Sequence, residues 1–460
     1  MHIKLKYECN MRVKRLLVVL FLLVGGKCLA QNDTLTLQQC IEICIENNLS
    51  LKNKEKDIRI TQIELSENRN KLLPLIQAFG NFIHNVEPAT SVSNGSGIST
   101  MLGVNVPYMV NKGLEFQTTG GFQLMMPLYN QTLYTSIHLT KKLSDISQIS
   151  YERAKEDMII EVAKLYYLSQ TTFKQTQLIK TNIDRLEKLK NITIAFYDND
   201  MALEIDVQRV SINLENLHTQ LTNVQVVYEQ QLNMLRYMLD WSPEKPICLS
   251  SLNTQINLKP THLHIGLSSN LYELQLLDMQ SDILEKQRKI VNQGYIPTLS
   301  LVGATSWMAY TDKFKNYFHS HPSNKWYNYS YWGVQLNLPI FDGLAKRDKK
   351  RKIEVEQMQM QITIEDTEKK LQTQYRNLLN DWYSNVRNAV RQKENYHLAE
   401  NVYLVTTEQY REGVASMSDL LQDEMQMTEA QNGYISALYK YMVSELSLLK
   451  LTGQLNRITD

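Results

Sequence analysis

Long apolar runs are nearly absent from this chain. After residue 30 none approaches the ~20 residues a bilayer-spanning helix requires, which excludes a transmembrane helix as the means of attachment. An excess of positive charge is missing as well. With the first thirty residues set aside, 43 Lys and Arg face 47 Asp and Glu, so there is no basic footprint for nucleic acid. Cysteine is scarce: five in all, of which Cys40, Cys44 and Cys248 lie beyond residue 30. Their odd number argues against a disulfide framework. Cys40 and Cys44 are one helical turn apart, a spacing that suits a metal; the preferred reading is two small buried apolar side chains. Catalytic constellations are lacking. The pairs His262/His264 and His319/His321 have no cysteine or acid at ligand spacing and read as solvated loop residues. Asn94-Gly95-Ser96-Gly97 lacks the strand-to-helix context of a phosphate loop, and no nucleophile stands beside a base. The expectation is no enzyme, no metal and no cofactor.

The first thirty residues have a character of their own. Lys4, Lys6, Arg12, Lys14 and Arg15 precede a short apolar stretch, Leu16 to Val24, and Cys28-Leu29-Ala30 follows as a cleavage site. Residues 1–30 therefore read as a secretory signal peptide, with the mature chain starting at Gln31. Lipidation of Cys28 is the alternative, and Lys27 suits it poorly. An exported chain without a membrane helix is periplasmic, secreted, or an outer-membrane β-barrel.

What the chain does have is a long internal repeat. A shift of 213 residues pairs Tyr197 with Tyr410, Ala202 with Ala415, Asp206 with Asp419 and Tyr228 with Tyr441. A period of this length marks duplication of a whole structural unit. The first copy covers 31–241 and the second 269–460, joined by a proline-containing linker over 242–268. Each copy opens with a helical pattern that ends at a proline, KLLP from Lys71 and GYIP from Gly294. Strands are expected at about 75–83 and 114–126, and again at 298–310 and 328–340. In the second of these, Leu114, Phe116, Phe122, Leu124 and Met126 share one parity while Gln117, Thr119 and Gln123 take the other, which predicts an apolar face and a wet face. A polar Gly/Ser-rich loop separates the first two strands.

Helices of unusual length follow each hairpin, from about Leu133 to Phe196 and from about Leu344 to Tyr410. Some 64 residues at 1.5 Å each reach roughly 95 Å, and a narrow apolar stripe along so long a helix needs helical partners beside it. Each long helix breaks, at Asp198-Asn199-Asp200 and at Gly413, and a shorter helix returns over about 203–239 and 418–451. Gly413 is expected as a left-handed cap.

Four strands with one apolar face cannot close on themselves, and a β-structure that spans a membrane must close. Trp307, Tyr310, Trp326, Tyr329 and Trp332 crowd the loop end of the second hairpin, as a membrane–water aromatic girdle would. Closure then requires several copies, and three would give twelve strands. A structural or adhesive coiled-coil envelope protein is the alternative, although it leaves the duplicated hairpins without a purpose.

The ordered set of KLLP and GYIP junctions, the MPLYN and LPIFDG strand exits, and YREGVASMSDLLQ with its first-copy partner resembles the TolC outer-membrane factor family over essentially the whole exported chain. The resemblance implies a mainly α fold with a membrane β-barrel: a trimer forming a twelve-stranded barrel in the outer membrane and a long α-helical tube across the periplasm. It also implies the exit duct of a tripartite efflux pump or type I secretion system, working with a periplasmic adaptor, an inner-membrane pump and outer-membrane lipid. Tyr197, Asp200, Tyr410, Gly413 and Ala415 would then lie at the periplasmic tip, as hinge and adaptor contact. Asp419, Asp423 and Asp206 would lie at the channel aperture. Asp419 has a second reading as an acid in the first turn of a helix. Ala415 stands where the family carries a latch arginine, so the latch here differs or is missing.

Overall fold

The computed structural model describes residues 34–94, 103, 108–256, 266–318 and 325–458. The signal segment with Cys28 and both histidine pairs lie outside the described residues, as does the linker over 257–265.

The chain opens with helix α1 (Leu37–Asn47), capped by Thr36 in a reciprocal box with Gln39. A single helix was expected here as far as Lys71. It instead ends at Asn48, and α2 (Leu49–Asn70) follows. The cause is tertiary: Asn48 is buried, and its Nδ2 donates to the Met238 carbonyl at 3.0 Å. Then come β1 (Leu75–His84), β2 (Thr90–Asn94), β3 (Tyr108–Lys112) and β4 (Phe116–Tyr129). The long helix α3 spans Gln131–Asp198 and α4 returns over Glu204–Met238. The second copy supplies α5 (Tyr272–Gln293), β5 (Thr298–Thr311), a short 3-10 turn (Phe314–Phe318), β6 (Trp326–Asn337), the long α6 (Ala345–Arg411) and α7 (Met417–Leu451). No helix among the described residues is long and apolar enough to cross a membrane.

The chain folds into two compact units, and each draws on both copies of the repeat. One comprises the described residues of Met1–Asn48, Asp157–His264 and Asn377–Asp460; the other comprises Leu49–Glu156 and Ile265–Arg376.

The second of these units holds the sheet. Its strands run antiparallel in the order β1-β4-β5-β6, so each repeat's hairpin stays intact and the two join where β4 meets β5. At that seam Gly121 is required: a Cβ there would lie 2.2 Å from the Thr305 carbonyl oxygen, closer than any side chain can approach. A register shift between Pro127 and Tyr129 accommodates a proline that has no N–H to donate. The polar segment between β1 and β4, expected as loop, contains the paired strands β2 and β3. Their Thr90-Ser91-Val92 and Met109-Val110 residues are compatible with an extended ladder.

The other unit is helical. One apolar cluster packs Cys40, Ile41 and Cys44 of α1 against Val162 and Tyr166 of α3 and Leu235 of α4. Burial pushes the Cys40 thiol up to about 12 and Cys44 to about 11, so both stay protonated and behave as small apolar groups. The linker is tied down here: Leu35 N–H donates to the Cys248 carbonyl at 2.7 Å, and the Tyr166 hydroxyl donates to the Leu35 carbonyl at 2.8 Å. A second cluster joins Ile183, Leu186 and Leu189 of α3, Leu214 of α4, Tyr410 of α6 and Leu420 of α7.

Candidate functional site

The two helix breaks fold to the same backbone. Asp200 N–H donates to the Tyr197 carbonyl at 3.0 Å, and Met201 N–H reaches back to the Phe196 carbonyl at 2.8 Å. Shifted by 213 residues, Gly413 donates to Tyr410 at 3.0 Å and Val414 to Gln409 at 2.8 Å. These are paired Schellman-type closures, in which a left-handed residue lets the chain turn back on its last free carbonyls. Gly413 has φ +73° and Asp200 has φ +62°. Aspartate is among the few residues with a side chain that visit this region routinely. The substitution of Asp200 for glycine therefore does not alter the shape of the turn.

Side chains distinguish the two turns. Ser416 caps α7: its hydroxyl accepts from Asp419 N–H at 3.2 Å, while the Asp419 carboxylate accepts from Ser416 N–H at 3.2 Å and from its hydroxyl at 2.6 Å. These bonds hold the Asp419 carboxyl below the usual range, so it is ionised at neutral pH. The matching cap of α4 is Leu203, which contributes no side-chain bond. Asp206 instead pairs with Arg209 at 3.3 Å, and the same guanidinium nitrogen donates to the Ser418 hydroxyl at 3.1 Å. Arg209 thus ties the first turn to the second. Asp423 accepts from the Thr406 hydroxyl at 2.6 Å. Tyr410 is buried against Phe196 with ring centroids 5.9 Å apart, whereas Tyr197 is exposed. Phe196, Leu203, Asp206, Arg209, Tyr410 and Ala415 are among the residues that line one cleft between the turns.

Two features here were missed in the sequence. Arg209, three residues after Asp206, was legible as an i,i+3 partner but not as a tie between the copies. Glu424 falls on the apolar stripe Met417, Leu420, Leu421, Met427 and is buried, which sets it apart from ordinary surface acids. Burial raises its pKa, opposed by a hydrogen bond from the Thr428 hydroxyl at 3.2 Å. Thr428 also accepts from Asn182 on α3, which bonds Gln431 at 2.9 Å. These side chains form a polar layer in an otherwise apolar helix packing.

The sheet has two unlike faces. Ile76 opposite Leu124, Ala78 opposite Phe122, Leu301 opposite Val334 and Leu299 opposite Leu336 make one face apolar. On the other, Gln123 donates to Gln77 at 2.9 Å, Asn81 is opposite Thr119, and Ser300 is opposite Gln335. The parity read from the sequence of β4 carries into its neighbours, with Leu75, Phe79 and Ile83 of β1 and Val302 and Met308 of β5 as apolar residues on the more polar face. The five residues expected to form one aromatic girdle are divided by it. Trp307, Trp326 and Trp332 are on the apolar face, while Tyr310 and Tyr329 are on the polar face. Successive strand residues alternate faces, so the tryptophans and the tyrosines point to opposite sides of the sheet.

This geometry has counterparts among known proteins. Residues 270–454 match the family described as outer membrane efflux protein. The chain is 21% identical to outer membrane protein TolC of Salmonella enteritidis, covering 97% of this chain and 87% of that protein. It is 20% identical to the probable efflux pump outer membrane protein TtgC of Pseudomonas putida, over 91% of this chain and 82% of that one. The outer membrane protein VceC of Vibrio cholerae has the same fold, with a TM-score of 0.69 at 12% identity, over 91% of this chain and 96% of that one. The chain is therefore similar to TolC-like outer-membrane efflux proteins over nearly its whole length.

Proposed function

We propose that three copies of this chain close edge to edge into a twelve-stranded barrel in the outer membrane, with the long helices forming a tube in the periplasm. In this reading the chain is the exit duct of a tripartite pump. It conducts cargo passively once a periplasmic adaptor and an inner-membrane pump engage the helix turns. One observation carries the proposal. The sheet has an apolar face and a polar face, and its outer strands β1 and β6 have no partner along their outer edges among the described residues. A sheet of that kind is stable in lipid only when other copies supply the missing neighbours and leave the polar face inside.

At the far end of the helices, Asp419, Asp423 and Asp206 are assigned to the aperture, and Tyr197, Asp200, Tyr410, Gly413 and Ala415 to the hinge and adaptor contact. Arg209, with its bonds to Asp206 and Ser418, takes the part of the latch that Ala415 cannot play. Trp307, Trp326 and Trp332 are assigned to the lipid-facing side, with Trp326 and Trp307 nearest the loop end of the hairpin.

The test is biochemical. The purified protein should migrate as a heat-modifiable trimer and conduct ions in planar bilayers; a soluble monomer without conductance sinks the reading. Asp419→Asn should weaken block by multivalent cations, because it removes charge while keeping an oxygen acceptor for the cap. An unchanged block would leave Asp419 as a cap only.

A further inference from the structure

Immediately after the second hairpin the chain becomes strongly basic. Lys346, Arg347, Lys349, Lys350, Arg351 and Lys352 fall within seven residues, and only Asp342 and Asp348 oppose them between 342 and 352. These cations occupy the first two turns of α6, where the exposed N–H groups already carry the positive end of the helix dipole. Asp342 answers part of that charge: its carboxylate accepts from Leu344 N–H and Lys346 N–H, each at 3.1 Å, and lies 3.6 Å from the Lys346 ammonium. Arg347 and Arg351 share the single carboxylate of Asp348, at 3.0 and 4.0 Å. Lys350 and Lys352 reach one turn on to Glu354 and Glu356 at 3.9 and 3.7 Å. Lys349 makes no ion pair among the described residues. The run therefore has more positive charge than its own carboxylates balance, at the end of a helix where positive charge is least favoured.

The segment just before it is apolar and open to solvent. Leu338 is 53% exposed, Ile340 90% and Phe341 79%. They follow directly on Trp332, Val334 and Leu336 of the apolar face of β6, and the turn through Gly343 and Leu344, both at positive φ, leads directly into the basic run. An apolar ledge followed at once by clustered Lys and Arg is the pattern of a segment seated at a bilayer surface, with long cationic side chains reaching the headgroups. The repeat provides an internal control. With the strand-exit prolines Pro127 and Pro339 aligned, residues 346–352 correspond to 134–140, Tyr-Thr-Ser-Ile-His-Leu-Thr, which contain no Lys, Arg, Asp or Glu. A barrel needs both strand exits but not the charge, so the charge has another use.

We propose that Lys346–Lys352 is an anionic-phospholipid binding surface that holds the headgroups of the membrane leaflet on the side of the long helices. It rests on the barrel reading, which places that strand exit at a bilayer surface. The test is native mass spectrometry of the full-length assembly in detergent, titrated in parallel with phosphatidylglycerol and phosphatidylcholine. The unsubstituted channel should retain phosphatidylglycerol about tenfold or more in preference to phosphatidylcholine, with the preference falling as salt rises. K349Q/K350Q/R351Q/K352Q should bring the two lipids to parity, while K349R/K350R/K352R should keep the preference. Parity in the unsubstituted channel, or an unchanged preference in the glutamine variant, overturns the proposal. If the glutamine variant fails to assemble, the salt series on the unsubstituted channel decides, and a salt-independent preference overturns it. Planar-bilayer conductance separates the two readings. Normal conductance with lipid parity removes only this inference, whereas absent conductance removes the duct as well.

Discussion

The turns at Tyr197–Asp206 and Tyr410–Asp419 share two closing backbone hydrogen bonds, at 3.0 and 2.8 Å in each, yet have little side-chain chemistry in common. In the second turn glycine supplies the left-handed residue, a Ser–Asp box caps the helix, and a tyrosine is buried. In the first turn aspartate supplies it, the cap is a leucine without a side-chain bond, and the matching tyrosine is exposed. Duplication has kept the shape and let the means diverge. The second turn carries local stabilisation. The first carries Arg209, which reaches across to its neighbour.

The contrast can be broken at graded cost. Leu420, fully buried on α7, corresponds to partly buried Val207 on α4. Leu420→Ala should lower stability by about 2–5 kcal/mol, with Val207→Ala costing much less; thermal midpoints followed by helical circular dichroism would show equal losses if the two helix starts were equivalent. Next in size are the left-handed positions. Gly413→Ala should cost about 1–2 kcal/mol, and Asp200→Gly should gain up to about 1 kcal/mol. The same melting series checks both, and a loss on Asp200→Gly would mean that the Asp200 side chain stabilises its turn. The caps come third: Ser416→Ala should cost about 1 kcal/mol and Leu203→Ser should recover a similar amount, because Asp206 already stands at the reciprocal position.

The smallest effect separates two acids by pH. Glu424 has a raised pKa from burial, so the fold binds its proton more tightly than the unfolded chain does. Its ionisation therefore lowers stability as pH rises from the ordinary carboxylate range through the raised value. Asp419 behaves in the opposite way. Its lowered pKa gives a stabilisation present above the ordinary range and lost as pH falls through the lowered value. Glu424→Gln should flatten the first slope and leave the second. The first copy has Ser211 at the place of Glu424, so no matching slope is expected from that side.

Much of this was legible in the residues, and what was not has definite physical causes. Strand positions agree with expectation to within a few residues, because alternation in β4 and the flanking prolines are local signals. The strand expected at 328–340 lies at Trp326–Asn337 instead, ending before Pro339, which has no N–H for a ladder. Gly413 announced its turn. The break at Asn48 was hidden because its partner, Met238, is 190 residues away. The girdle was read by composition, and only register could divide its tryptophans from Tyr310 and Tyr329. At the aperture, the S-x-x-D spacing of Ser416 and Asp419 was available as a capping signal; the reach of Arg209 to Ser418 was not, since it depends on how α4 and α7 pack.

Gly121 bears on how the sheet is assembled in time. The seam between β4 and β5 forms within one chain, so its rate does not depend on protein concentration. The edges of β1 and β6 can be satisfied only by an encounter with another chain, so that step slows on dilution. A chain carrying Gly121→Val would lose the fast, unimolecular seam. It would present two separate hairpins with four free edges where the native chain presents two, raising the number of encounters required and the opportunities for wrong pairing.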